Sequence, residues 1–72
     1  MEDFSSLGPL SVTGGNVLIS RLAKIEIGAV IQKGIKVAEN CTIGANSFLN
    51  KDTNKNSIYY GSPARYIREK SN

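Results

Sequence analysis

The hydrophobic pattern of the chain repeats every six residues. Branched aliphatic residues recur at this spacing without a break, at Ile19, Ile25, Ile31, Val37, Ile43 and Leu49. The same frame extends back through Thr13 to Leu7 and forward to Asn54, which gives eight hexads over residues 7–54. An amphipathic helix would space its apolar residues by three and four, and a simple strand would alternate them, so neither explains the pattern.

A second column of residues supports the hexad frame. The fifth place of each hexad is mostly small and is occupied by Ser11, Val17, Ala23, Ala29, Ile35, Cys41, Ser47 and Thr53. Two inward columns per six residues predict a solenoid of short flat sides, in which parallel strands pair between successive turns. Glycine also recurs every turn or two, and each interior glycine would cost a helix about 1 kcal/mol.

The hexad frame breaks after Asn54. Residues 58–60 form a short β-prone run between two turns, and Ser62 and Pro63 suit the N-cap and first position of a helix over residues 64–70. The sequence therefore predicts an all-β parallel β-helix with a lead-in (1–6), a repeat region (7–54) and a C-terminal turn, short strand and helical cap (55–72).

Composition restricts the possible classes. A chain of 72 residues buries a small core, so oligomerisation is expected to support it. One cysteine and no histidine rule out a disulfide within the chain and argue against a metal site of the usual Cys/His type. No apolar segment is long enough to cross a membrane, and the acidic N-terminus lacks a signal-peptide pattern, so a cytoplasmic location is expected.

The positive charge is concentrated near the C-terminus. From Lys51 onward there are five basic residues and two acidic ones, and that excess equals the net charge of +3 for the whole chain. A basic excess attracts phosphate-bearing partners, although it is also typical of a solvated tail. No nucleic-acid-binding motif accompanies the charge, so nucleic acid is not an expected partner.

Three short segments resemble one enzyme family. Residues 43–52, Ile-Gly-Ala-Asn-Ser-Phe-Leu-Asn-Lys-Asp, resemble the Ile-Gly-Ala-Gly-Ser-Val-Val-Thr-Lys-Asp segment of hexapeptide-repeat acyltransferases. Residues 60–68, Tyr-Gly-Ser-Pro-Ala-Arg-Tyr-Ile-Arg, resemble their closing Gly-Asn-Pro-Ala-Lys/Arg-x-Ile-Arg. Residues 13–17, Thr-Gly-Gly-Asn-Val, are similar to the sialic-acid and bacillosamine-type sugar acetyltransferases.

The resemblance implies a fold, an assembly and a cofactor. It implies a left-handed β-helix, a homotrimer and acetyl-CoA or CoA bound between adjacent subunits. The hexad pattern alone does not fix the hand, since parallel crossovers are usually right-handed. The cofactor-binding positions that the resemblance implies are Gly15, Ile27, Ala45, Asn50, Lys51, Arg65 and Arg68.

These positions have different implied roles. The Gly15 backbone matches the contact to the acetyl carbonyl, and Ile27 and Ala45 match contacts along the pantetheine arm. Lys51, Arg65 and Arg68 match positions that meet the phosphates and the adenine end, where charge-assisted hydrogen bonds suit phosphate oxygens. Asn50 replaces the commoner threonine. All seven residue types also suit the repeat or a solvated surface.

The family's catalytic histidines have no counterpart. Acetyl transfer to an amine or hydroxyl requires a base, and histidine serves in this branch. Asp3 and Phe4 match the Asp-Phe of the family's histidine-containing stretch, which places the catalytic histidine just before Met1 and the second histidine at Ser6. No catalytic residue is therefore predicted.

Three hypotheses follow from this pattern. The first is a truncated, sugar acetyltransferase-like β-helix that still binds acetyl-CoA or CoA but is inactive alone. The second is a working acyltransferase, transferring acetyl to a sugar amine or hydroxyl, that takes its base from elsewhere. The third is a non-enzymatic trimeric interaction module.

Overall fold

The hexads fold into a solenoid of two-residue strands. The computed structural model describes residues 5–70. Each hexad contributes one strand, and their bounds are β1 (Ser6–Leu7), β2 (Val12–Thr13), β3 (Leu18–Ile19), β4 (Lys24–Ile25), β5 (Val30–Ile31), β6 (Lys36–Val37), β7 (Thr42–Ile43) and β8 (Phe48–Leu49). From β3 onward, the first residue of each strand lies on the outer surface and the second is buried.

The strands stack into three parallel sheets, because every third strand occupies the same side of the solenoid. Sheet A contains β1, β4 and β7, sheet B contains β2, β5 and β8, and sheet C contains β3 and β6. The register pairs Leu7 with Ile25 and Ile25 with Ile43, so one coil takes three hexads. The described chain makes about three coils.

The inward columns form the core, as the hexad pattern predicts. The aliphatic column from Ile19 to Leu49 is at most 2% exposed, and buried fifth-place residues lie beside it. In the first coil Leu7 is 43% exposed and Thr13 is also exposed. These two inward residues are covered by the second coil on one side only.

The chain turns each corner through a left-handed residue. Positive φ angles recur every six residues, at Leu10, Asn16, Leu22, Gly28, Gly34, Asn40 and Asn46. Backbone hydrogen bonds stack the corners, for example from the Gly28 N–H to the Pro9 carbonyl at 3.0 Å. Asn and Gly tolerate this conformation best and hold five of the seven places.

The predicted C-terminal helical cap is wrong. β9 (Ser57–Gly61) and β10 (Ala64–Glu69) form an antiparallel hairpin, and β9 pairs in parallel with β7. A seven-residue helix would have a costly nucleus, whereas β9, which pairs with the free edge of sheet A, offers hydrogen bonds to these residues at once. Tyr66 also packs edge-to-face on Tyr59, with ring centroids 5.8 Å apart. The described residues contain no helix, and so none that could span a membrane.

Sheet C is closed by an irregular segment instead of a strand. The Lys36 N–H donates to Asp52 Oδ1 at 2.8 Å, and the Ala38 N–H donates to Thr53 Oγ1 at 2.9 Å. The Thr53 N–H donates in turn to the Lys36 carbonyl at 3.2 Å. These bonds satisfy the β6 edge and hold the chain in place where it leaves the hexad frame.

A candidate cofactor cleft under the terminal hairpin

A cleft of about 450 Å³ lies between the end of β8 and the terminal hairpin. It is lined by Asn50, Lys51, Asp52, Tyr59, Pro63, Ala64, Arg65 and Tyr66. The hairpin forms one wall because it folds back along sheet A, and the bend after β8 forms the other. Residues from two distant parts of the sequence therefore meet in one surface depression.

Two cations and one carboxylate set the charge of the cleft. Lys51 and Arg65 are both exposed, so their charges are accessible from solvent. Asp52 is the carboxylate, and its Oδ1 already accepts the Lys36 N–H. The cleft therefore has a positive balance that suits an anionic group.

Asn50 presents an unused acceptor. Its side-chain Oδ1 is buried and has no hydrogen-bond donor among the described residues. A buried polar atom without a partner costs free energy, typically about 1–3 kcal/mol.

Two tyrosines shape the inner wall. Tyr59 is 7% exposed, and its hydroxyl accepts the Asn54 N–H at 3.0 Å. Tyr66 lies across it at an interplanar angle of 81° and remains 52% exposed. Tyr59 is thus fixed in the structure, while Tyr66 offers an aromatic surface to the cleft.

The structure brings three of the predicted cofactor residues together. Asn50, Lys51 and Arg65 all line the cleft. Arg68 lies further along β10, opposite Ile58, and is not among the lining residues. Its guanidinium lies 3.5 Å from the Glu69 carbonyl oxygen.

The other predicted residues lie at corners of the solenoid. Ile27 and Ala45 follow β4 and β7, so they share the corner between sheets A and B, one coil apart. Gly15 follows β2 and lies at the next corner, between sheets B and C. Within one protomer, the predicted positions therefore flank both edges of sheet B and do not form one pocket.

Sequence reasoning missed Tyr66 as a cleft residue. It assigned residues 64–70 to a helix, and a helix would have given Tyr66 different neighbours. The adjacent Tyr66 and Ile67 were the available signal, because aromatic and β-branched residues favour strands.

Comparison with known proteins places this fold in a class. No family model and no curated protein matches the sequence. Among solved structures, the BC4754 product of Bacillus cereus, which carries a provisional acetyltransferase assignment, is 30% identical, with a TM-score of 0.94. That match covers 99% of this chain and 42% of the Bacillus chain.

Two further similar structures were determined with coenzyme. The hexapeptide-repeat acetyltransferase VCA0836 of Vibrio cholerae, complexed with acetyl-CoA, is 27% identical over 78% of this chain and 31% of its own, with a TM-score of 0.75. PerB of Caulobacter crescentus, complexed with CoA and GDP-perosamine, is 26% identical over 85% of this chain and 30% of its own, with a TM-score of 0.84.

The repeat, the sheet topology and these similarities define a hexapeptide-repeat β-helix. The chain is a β-helix of the hexapeptide-repeat acetyltransferase family, which confirms the resemblance seen in the sequence. It spans less than half of the length of each of these three proteins.

Proposed function

We propose that this β-helix binds CoA or acetyl-CoA for an acetyl-transfer reaction, with the phosphate groups at the cleft under the terminal hairpin. The observation that carries the proposal is that Arg65 on β10 and Lys51 after β8 line the same cleft. Guanidinium and ammonium groups form charge-assisted hydrogen bonds with phosphate oxygens. The similar Vibrio and Caulobacter proteins were crystallised with this coenzyme.

Asn50 and Tyr66 suit the remaining parts of the coenzyme. Asn50 lines the cleft, and its side-chain amide is of a type that can form hydrogen bonds with an amide or with an amino group of a base. The exposed face of Tyr66 can stack on a purine ring. Phosphate, amide and purine are all components of CoA, so the lining of the cleft has a group for each.

The proposal includes a left-handed solenoid and a homotrimer. The outer surface of sheet B carries an apolar column of Val12, Val30 and Phe48 in adjacent register. Val12 is 55% exposed and Val30 is 37% exposed, so association through this face would bury apolar surface. Since Ile27, Ala45 and Gly15 flank the same face, corners of neighbouring subunits would then form a shared groove for the acetyl and pantetheine end.

The chain supplies no histidine base. An acceptor amine or hydroxyl must lose a proton as it attacks the acetyl carbonyl, and the sequence has no histidine to take it. A histidine base would have to come from another segment or another chain. We therefore expect no turnover from these residues alone, and the acceptor, a sugar amine or hydroxyl, remains part of the proposal. A cytoplasmic location fits a function that uses acetyl-CoA.

Calorimetric titration with CoA tests the cleft. Lys51→Ala and Arg65→Ala are each expected to weaken binding by about 1–3 kcal/mol, because each removes a charge-assisted hydrogen bond. Lys24→Ala is the matched control, since it removes an exposed cation on β4 of sheet A, outside the cleft and outside both corners that flank sheet B. Arg68→Ala tests whether the phosphate site extends along β10. If it weakens CoA binding as much as Arg65→Ala does, Arg68 belongs to that site.

One outcome would overturn the proposed binding, and another would overturn the expected absence of turnover. If the unchanged chain gives no binding heat and no rise in melting temperature at millimolar CoA, a non-enzymatic module becomes the better explanation. If the chain alone acetylates members of an amino-sugar panel, the expected absence of turnover is wrong and a base must be sought among its own residues.

A further inference from the structure

A buried serine joins the two walls of the cleft. Ser47 precedes β8 and is 2% exposed, and its Oγ accepts the Gly61 N–H at 3.0 Å. Gly61 is the last residue of β9, where the turn of the terminal hairpin begins. Ser47 lies four residues before Lys51, and Gly61 lies four residues before Arg65. This hydrogen bond therefore links the two chain segments that bring the cations of the cleft together.

The hydroxyl group of Ser47 is not required to fill the core. Ala29 occupies the same column one coil earlier, since the register pairs Val30 with Phe48. Ala29 is 0% exposed, so a methyl group fills this place in the second coil. A buried hydroxyl group costs free energy unless it forms a hydrogen bond. What serine adds over alanine at this place is therefore an acceptor for the hairpin.

Other contacts dock the hairpin but end before its turn. The Gly44 N–H donates to a β9 carbonyl at 2.8 Å, and a Cβ atom on Gly44 would overlap the Tyr60 ring. These contacts hold β9 against the solenoid as far as Tyr60. The cleft-lining residues 63–66 come only after Gly61. The bond from Gly61 to the serine hydroxyl is thus the anchor between the docked strand and the residues that line the cleft.

We propose that Ser47 is a positioning residue of the cleft, whose hydroxyl group holds Arg65 where it can bind the same anionic group as Lys51. This role rests on the proposed binding of CoA. Ser47 is buried and acts through the hairpin turn, without touching the coenzyme itself. Groups that are held in place bind a ligand more tightly, because less side-chain and loop freedom is lost on binding.

A double-mutant cycle, measured by calorimetric titration with CoA, tests this role. Ser47→Ala is expected to weaken CoA binding about two- to tenfold, a range set by the net strength of one hydrogen bond. In the Arg65→Ala background the same substitution should have no further effect, because the residue through which Ser47 acts is already absent. Ser57→Ala is the matched control: its hydroxyl group is also buried in the hairpin, but it donates to the nearby Lys55 carbonyl at 3.1 Å.

Amide hydrogen exchange separates positioning from a loss of structure. In Ser47→Ala the Gly61 amide should exchange faster, because its acceptor has been removed. The Gly44 amide should stay protected, because its bond to β9 is unchanged. Urea unfolding of the variant should remain cooperative.

Several results would overturn the role of Ser47. It is wrong if Ser47→Ala binds CoA as the unchanged chain does, or if the substitution weakens binding equally in the Arg65→Ala background. It is also wrong if Ser57→Ala weakens binding as much, or if the Gly44 and Gly61 amides lose protection together, since the hairpin would then have come loose as a whole. If the unchanged chain binds no CoA, the proposed coenzyme site fails and this role falls with it.

Discussion

At the scale of single residues, Gly14 and Gly15 show how closely the coils approach. A Cβ atom built on Gly14 would lie 2.6 Å from the Lys33 backbone nitrogen and 2.8 Å from its Cα. A Cβ atom on Gly15 would meet no atom within 4 Å. The absence of a side chain is therefore a packing requirement at Gly14, whereas Gly15 stays open to an approaching ligand.

The first prediction contrasts these two neighbours. Gly14→Ala should lower the free energy of unfolding by about 1–3 kcal/mol, because the new methyl group meets backbone atoms that cannot rotate away. Gly15→Ala should leave the free energy of unfolding unchanged or raise it by about 0.4–1 kcal/mol, because alanine lowers the conformational entropy of the unfolded chain. Urea unfolding of both variants measures the difference, and equal losses would contradict the close contact between coils.

A second prediction concerns the aliphatic column. Ile43 is 0% exposed at the level where the last coil meets the hairpin, while Ile67 on β10 is 52% exposed. Ile43→Ala should destabilise the chain by about 2–5 kcal/mol, since it leaves a cavity in a column that cannot collapse freely. Ile67→Ala is the control and should cost much less in thermal unfolding.

At the scale of the elements, the corners depend on left-handed residues. Leu10 has a φ of 60° and is 83% exposed, so burial of its side chain does little to offset this unfavourable backbone conformation. A residue with a β-carbon in the left-handed region costs roughly 1–2 kcal/mol, and asparagine reduces that cost through local hydrogen bonds. The corner at Leu10 is thus a weak element of the first coil.

The third prediction uses this weakness. Leu10→Asn should raise the melting temperature, with a gain of roughly 0.5–1 kcal/mol from the relieved backbone. Leu18→Asn makes the same change on a strand, at a residue that is 44% exposed. This control variant should have a lower melting temperature than the unchanged chain. If both variants melt at a lower temperature, backbone strain at the corner does not reduce the stability of the chain significantly.

The closure of sheet C is the second element that can be tested. Thr53 Oγ1 accepts the Ala38 N–H and lies 3.4 Å from Cys41 Sγ. Thr53→Val keeps the shape but leaves a partly buried N–H without an acceptor, and should cost about 1–3 kcal/mol. Thr42→Val on the outer surface of β7 is the control. Chemical unfolding should show a smaller loss of unfolding free energy for Thr42→Val than for Thr53→Val.

At the scale of the whole molecule, the outer face of sheet B is the surface through which the proposed trimer associates. Val30 is the middle member of its outer apolar column and is 37% exposed. Val30→Lys should dissociate the proposed trimer, because it would bury a charge in the subunit interface. Sedimentation should then show a particle with one third of the mass of the trimer. If the variant is still a trimer, the interface lies on another face.

The repeat was predictable because successive hexads place an inward-facing residue at the same position. Each aliphatic residue from Ile19 to Leu49 faces the same core, so six weak local signals agree on one register. The column of left-handed residues was equally periodic but escaped notice, because Leu10 and Leu22 interrupt its Asn and Gly pattern.

The cap and the cleft were less predictable, because they depend on contacts outside the repeat. Residues 64–69 have a local sequence that suits a short helix, and they become a strand by pairing with β9, which itself pairs with β7 at the edge of sheet A. The sequence motifs identified Lys51 and Arg65 separately. Their meeting in one cleft depends on the hairpin, which local propensity did not reveal.

The register of 18 residues, which pairs Ser6 with Lys24 and Lys24 with Thr42, has a consequence for how such chains change length. Loss of residues 24–41 would bring β1 directly against β7 and β2 against β8, and would bring β3 to the segment that now closes β6, with the corners and inward columns still in phase. Loss of a single residue would exchange inside and outside for all that follows. Genetic change in this protein should therefore be tolerated in whole coils, and cooperative melting of the 24–41 deletion would show it.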